Sequence, residues 1–149
     1  MRILAENKKA LFKYSILEKY KAGIVLKGQE VKSIKLGRIN ISGSYIILKA
    51  QAPFLIGSNV PPYQPKNLRE DYNPERSRKL LLRGSEIKEL IGKTHQKGLT
   101  LVPLKVYTDQ SKIKIEFGLC RGKKTRDKRE QIKQREQKKE IERTLKIRG

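Results

Sequence analysis

Along "FKYSILEKY" (12–20) the residues alternate at first, with Phe12, Tyr14 and Ile16 on one side, which predicts a half-buried strand. "AGIVLK" (22–27) is a short β-branched run that reads as a second strand. The period then changes in "GQEVKSIKLG" (28–37): Val31 and Ile34 stand three apart and Leu36 follows. That predicts a short helix opened at Gly28 and closed by Gly37 in a left-handed cap. "SYIILKA" (44–50) and "PFLIGSN" (53–59) predict two strands joined by a tight turn near Gln51. The segment 60–74 holds four of the six prolines and reads as a long surface loop, a kind usually functional or disordered. Asn73 before Pro74 is placed to cap a helix beginning "PERSRKLLL", although Leu80-Leu81-Leu82 has no single period and leaves helix or strand open there. Ser85 is a good N-cap for "EIKELIG", whose Ile87, Leu90 and Ile91 share a face and which Gly92 is expected to stop. "GLTLVPLKVYT" and "KIKIEFGLC" flank "DQS", read as a three-residue hairpin loop. Six strands and two or three short helices favour a small closed barrel, which removes exposed edges.

After these elements the pattern is lost. From Gly122 to Gly149 there are 12 Lys or Arg, 5 Asp or Glu and only four aliphatic residues, Ile132, Ile141, Leu145 and Ile147. So little apolar surface does not offset the entropy of ordering, and alone in water the segment is expected to be largely disordered. The chain of 149 residues therefore divides into a body, 1–121, long enough for one barrel, and a basic tail, 122–149. The formal net charge is +21. The body contributes to it too, with 24 basic residues against 10 acidic. Such an imbalance points to nucleic acid ahead of an anionic membrane surface. No apolar run approaches the roughly 18 residues that span a bilayer, and the first residues lack the apolar core of a secretion signal. One cysteine cannot form an internal disulfide, which fits a reducing compartment, so the chain is expected to stay where it is made.

Groups for chemistry are few. His95 follows a helix end and reads as a surface or capping residue, and Cys120 beside Arg121 as an inert thiol. With one His and one Cys, no zinc site assembles from such ligands. Glu70-Asp71 lies in the long loop, and Glu86 and Glu89 suit the first turn of a helix. "GLCRGKKT" has Walker A residues in the wrong spacing. An enzyme is not expected, although a metal-dependent nuclease, with two or three converging carboxylates, is the alternative to test.

If the tail becomes helical on a partner, Lys124, Lys128, Arg135, Lys139, Arg143 and Lys146 fall within a stripe roughly 100° wide at 100° per residue. Gln134, Gln137, Glu130 and Glu140 lie on the other side, and Glu142 interrupts the stripe while preceding Lys146 by four, a favourable pair. Ile132 and Ile141 come out about opposite, which disfavours a coiled coil. The reading is a segment that folds along a phosphate-lined channel, reaching about 40 Å at 1.5 Å per residue.

With those residues in view, the chain resembles the small protein B family, the transfer-messenger RNA (tmRNA)-binding proteins of bacterial trans-translation. The match is carried by "NKKA" (7–10), "AGIVLKGQEVKSIKLGRINISGSY" (22–45), "NPERSRKLLL" (73–82), "KGLTLVPLKVY" (97–107) and "GLCRGKKTRDKRE" (118–130). These run in order over nearly the whole chain. The resemblance implies a six-stranded barrel of oligonucleotide-binding-fold topology that grips the tRNA-like domain of tmRNA. It implies a tail that becomes a helix in the empty mRNA channel of a stalled ribosome, against small-subunit ribosomal RNA. It also implies no catalytic activity, and no cofactor or metal is expected.

Residue by residue, the resemblance places Asn7 and Lys8 in an RNA-facing motif, Leu81 at a position that supports RNA binding, and Gly122, Lys123 and Lys124 at the junction with the tail. Asp127, Lys128 and Arg129 match a decoding-centre motif, and Arg135, Lys139, Arg143 and Lys146 continue the channel-facing stripe. There are two departures. Lys21 stands where the family commonly has an acid implicated in RNA binding, and Arg126 where it often has His or Tyr able to stack on a base, a role a guanidinium also fills. A monomer acting in the bacterial cytoplasm is expected, or in the plastid stroma if the chain is organelle-encoded. A structural ribosomal protein with a basic extension is the alternative that fits the charge equally well.

Overall fold

The computed structural model describes residues 1–64, 72–96, 98–123 and 135–139. In chain order the elements are β1 (Arg2–Glu6), α1 (Lys8–Lys13), β2 (Tyr14–Ile24), α2 (Gly28–Lys35), β3 (Tyr45–Lys49), β4 (Ala52–Ile56), β5 (Arg78–Leu81), α3 (Gly84–Thr94), β6 (Leu99–Asp109) and β7 (Lys112–Gly122). All strand pairs are antiparallel, in the order β1-β6-β3-β4-β5-β2-β7, and β6 pairs with β7 as well. That last pairing closes β6-β3-β4-β5-β2-β7 into a six-stranded barrel, the closed form expected, but with β5 in place of the separate strand expected at 22–27. β1 is a seventh strand laid on the free end of β6, from Lys105 to Thr108, beyond the Leu101 position where β3 pairs.

Inward-facing residues of every barrel strand, among them Ile46, Leu55, Leu80, Leu101, Ile115 and Phe117, share one core with Ile34 of α2 and Leu90 of α3. The Tyr20 ring stacks on Phe117 at 5.5 Å between centroids. A second, smaller cluster of Ala10, Val102, Leu104 and Cys120 lies where α1 packs. Burial there pushes the Cys120 thiol up to about 11, so little thiolate forms near neutrality, in keeping with its reading as inert.

Several predicted elements are corrected, each by a local cause. The strand expected from Phe12 begins at Tyr14, because Asn7 caps a helix over Lys8–Lys13: its Oδ1 accepts from the Ala10 N–H at 3.3 Å. The expected second strand at 22–27 is the end of the first, since β2 runs unbroken to Ile24 while its partner changes from β7 to β5. No helix follows Pro74: Asn73 Oδ1 accepts from the Glu75 N–H in a turn, and β5 takes over at Arg78. α3 passes through Gly92 to Thr94 and opens at Gly84, with Arg83 rather than Ser85 as N-cap; one glycine in a helix costs only about 1 kcal/mol. The left-handed cap at Gly37 is present, with φ +78 and its N–H donating to Ile34 O at 2.8 Å. The last strand ends at Gly122, one residue beyond the expected body.

The β6–β7 hairpin turns on two residues rather than three. Asp109 pairs with Lys112, and Gln110 and Ser111 both carry positive φ, 49 and 67. This is the primed turn that matches strand twist, built from residues that resist it. Replacing Gln110-Ser111 with Asn-Gly is expected to stabilise the chain by about 1 kcal/mol, read as a rise of about 2–4 °C in Tm. An unchanged or lower Tm in a thermal melt would contradict this.

α2 is tied to the segment before β5 by a buried ion network. Glu30 and Arg78 are 1% and 0% exposed. Arg78 Nε donates to Glu30 Oε2 at 2.7 Å, and the rest of its guanidinium donates to Ser58 Oγ, Arg76 O and Pro74 O. Arg76 donates to Glu30 Oε1 at 2.5 Å, and that oxygen also accepts from the Lys27 N–H. Burial works to raise the Glu30 pKa, but the hydrogen bonds from Arg76, Lys27 and Arg78 outweigh it and hold it below its ordinary value.

Candidate nucleic-acid interface

Period-two alternation puts Lys19, Lys21 and Gly23 of β2 on the outside of the barrel, since Tyr20 and Ala22 are buried in the core. Register then assembles a surface across three strands. Lys21 stands opposite Glu116, and Gly23 lies between Lys114 of β7 and Leu81 of β5. Residues directly opposite in an antiparallel pair share a face, so Lys79, Leu81, Lys21, Lys112 and Lys114 form one basic field. Leu81 is 55% exposed within it. A Cβ added at Gly23 would meet Leu81 Cβ at 3.4 Å, so the leucine lies over the glycine as an apolar patch on the same face as these lysines. Such a patch gives a base or sugar something to rest on while the lysines meet phosphates.

At the other end of this face α1 presents Lys8, Lys9, Leu11 and Lys13 to solvent. Its position is fixed by Asn7, which is buried. The Asn7 Nδ2 donates to Pro103 O at 2.9 Å and Ile41 O at 3.4 Å, and its N–H to Leu104 O at 2.8 Å. The side chain is committed to the fold, so Asn7 acts on this face by holding Lys8 and the helix in place. Lys123 is committed likewise: its N–H donates to Lys13 O and its Nζ to Leu11 O, each at 2.9 Å. An ammonium at the carbonyl end of a helix suits both the free carbonyls and the dipole. The chain thus leaves the barrel at a fixed point beside α1, immediately after the exposed Gly122.

Of the remaining predicted residues, Arg135 and Lys139 lie in a helical, exposed stretch, 135–139, with the Arg135 guanidinium 5.7 Å from the Phe12 ring centroid. Lys124, Arg126, Asp127, Lys128, Arg129, Arg143 and Lys146 lie outside the described residues, as do Glu70 and Asp71. His95 is the exposed C-cap of α3. Among the described residues no three of His, Cys, Asp and Glu are grouped to hold a metal ion.

Lys19, Gly23, Lys79, Lys105 and Lys114 are not among the site residues expected from the sequence. The alternating lysines of "KIKIE" were the available signal, but they belong to a site only once register sets them beside β2 and β5. β2 is also anchored at its bulge, where Lys93 of α3 donates to both Glu18 and Glu89, and Tyr20 donates to Glu18 at 2.7 Å. The bond from Lys93, then that from Tyr20, lowers the Glu18 pKa. Desolvation, then the bond to Glu18, pushes the Tyr20 hydroxyl up to about 12.

Leu81→Asp is expected to leave stability within about 0.5 kcal/mol of the parent's and to weaken RNA binding roughly tenfold through the lost apolar contact and the added charge. A filter-binding titration checks it; unchanged affinity would remove Leu81 from the interface.

Comparisons with known proteins converge. A family model described as "SmpB protein" matches residues 4–147. The "SsrA-binding protein" of Carboxydothermus hydrogenoformans is 50% identical over 147 residues, covering 99% of this chain and 98% of that one. The "SsrA-binding protein" of Thermosynechococcus vestitus is 45% identical over 148 residues, covering 99% and 97%. A solved structure described as "tmRNA-SmpB: a journey to the center of the bacterial ribosome" superposes with a TM-score of 0.67 at 44% identity, covering 81% of this chain and 85% of that one.

Proposed function

The chain belongs to the SmpB family, and from that premise we propose that it binds the tRNA-like domain of tmRNA and delivers it to stalled ribosomes for trans-translation, which rescues the ribosome and tags the nascent peptide. The observation that carries this reading is the basic outer face of β5, β2 and β7 with Leu81 at its centre, in a chain whose relatives are SsrA-binding proteins. In this account Lys8, Lys21 and Leu81 meet the RNA, Asn7 positions α1, and Gly122 and Lys123 set the exit of the tail, with Lys124 continuing the basic path. The tail, through Arg126, Asp127, Lys128 and Arg129 and then Arg135, Lys139, Arg143 and Lys146, meets the decoding centre and the mRNA channel. The protein works by binding and has no reaction of its own. Its place is wherever ribosomes are rescued, the bacterial cytoplasm, or a plastid stroma if the gene is an organelle's.

The division of labour has a physical basis. Phosphate contacts supply affinity that any RNA shares, whereas selectivity needs shape and exposed bases. A fixed barrel face can match one folded RNA, and a charged segment of 28 residues can follow a channel. Titrating the full chain with the tRNA-like domain and with an ordinary tRNA, at one salt concentration, tests the reading. Selective binding of the tRNA-like domain is expected; equal affinity, with stable residence on translating ribosomes, would indicate a structural ribosomal protein instead.

A further inference from the structure

A cavity of about 190 Å³ opens between α1 and the outer face of the barrel, with Glu6, Lys8, Lys19, Lys105 and Glu116 as charged groups and Leu11 and Leu104 among its apolar walls. Both strands beneath α1 are bulged nearby, β2 between Ile16 and Glu18 and β6 between Pro103 and Lys105, and bulges re-aim side chains at functional places. Glu116 is the unusual member. Its side chain is 9% exposed, yet its nearest cations are Lys19 Nζ at 3.8 Å from Oε1 and Lys105 Nζ at 3.7 Å from Oε2. Both distances exceed a hydrogen bond. Among the described residues neither oxygen accepts one from a side chain. Glu116 lines the cavity and its oxygens are open to it rather than sealed inside the protein, so both can accept from an occupant.

The surroundings narrow what brings them. Three lysines against the carboxylates of Glu6 and Glu116 leave the lining basic on balance, which favours a ligand with a negative group, while an ionised carboxylate accepts only. The occupant must therefore carry a negative group for the lysines and two adjacent N–H donors for Glu116. Among nucleotides, guanine offers N1–H and the 2-amino group side by side on its Watson–Crick edge. Adenine, cytosine and uracil each set an acceptor beside their donor, which the carboxylate would repel. The volume lies below the roughly 300 Å³ at which pockets enclose whole drug-sized ligands and suits one base between apolar walls.

We infer that this cavity is a pocket for one unpaired guanine of the bound RNA, its Watson–Crick edge donating to Glu116 and its phosphate facing Lys8, Lys19 and Lys105. The inference rests on the RNA-binding reading and adds to it a base-specific contact. Its test is a nuclear magnetic resonance titration of the isotope-labelled full chain with guanosine, inosine, adenosine and uridine 5′-monophosphates. Guanosine monophosphate is expected to shift the amides of Lys8, Lys105 and Glu116 and to bind roughly tenfold tighter than the others, including the inosine form, which lacks the 2-amino group. In Glu116→Gln, whose amide presents one acceptor, that preference is lost while the melting temperature stays within a few degrees. Equal shifts for all four nucleotides, or a preference that survives in Glu116→Gln, would show that Glu116 only balances its lysines. Because the nucleotide titration needs no tmRNA, such a result would overturn the pocket and leave selectivity for the tRNA-like domain to stand or fall by its own titration.

Discussion

Glu30→Ala is expected to destabilise the protein by about 3–5 kcal/mol, because it strands the guanidinium of Arg78 in the interior without its counter-charge. Arg78 is fully buried and donates to Ser58, Arg76 and Pro74 as well as to Glu30, so no rotation brings its charge to water without breaking the approach to β5. The same network predicts a pH dependence. The folded-state pKa of Glu30 is held below its ordinary 4.5, so its stabilisation is complete above that value and is lost as pH falls through the depressed one. Urea unfolding at pH 7 should show the full gap between parent and Glu30→Ala, and the gap should close under strongly acidic conditions. A difference below about 1 kcal/mol at pH 7, the value of an exposed pair, would mean the network is not a structural bond.

The second large effect concerns the tail. Ending the chain after Lys123 is expected to abolish peptide tagging on stalled ribosomes while the barrel remains folded. The last strand and its closing bond, Lys123 N–H to Lys13 O, are both retained in that chain. Deleting so many basic residues also lowers affinity for every RNA and flattens its dependence on salt. A single-round tagging assay with purified ribosomes measures the loss; tagging within a few-fold of the full chain would deny the tail any role in sensing an empty channel.

How much of this was legible in the sequence differs by level. Strict alternation in Ile113–Leu119 against Lys112–Gly118 marks β7 and its basic outer face, and local pattern reached five of the six barrel strands, β5 being the one left open. α1 and β1 were not legible because their cause is distant. Asn7 caps α1 while bonded to Pro103 and Ile41, and β1 exists because β6 has an unpaired end. Arg78 defeated the reading of 74–82, since a buried arginine looks like a surface one until Glu30 is found 48 positions away. At the interface, "NKKA" and Leu81 were visible through resemblance, and Lys21 as a departure from it. That Lys21 faces Glu116 across a strand pair is a matter of register, which a bulge between Ile16 and Glu18 makes unreadable in advance.

The central claim is that recognition resides in the barrel face and not in the charged tail. Competition titrations of the full chain and of the chain ending at Lys123, each against the tRNA-like domain and an ordinary tRNA at two salt concentrations, test it most directly. The account predicts weaker binding of both RNAs by the shorter chain, with the ratio of the two affinities preserved. A ratio that collapses to one when the tail is removed would place recognition in the tail and contradict it.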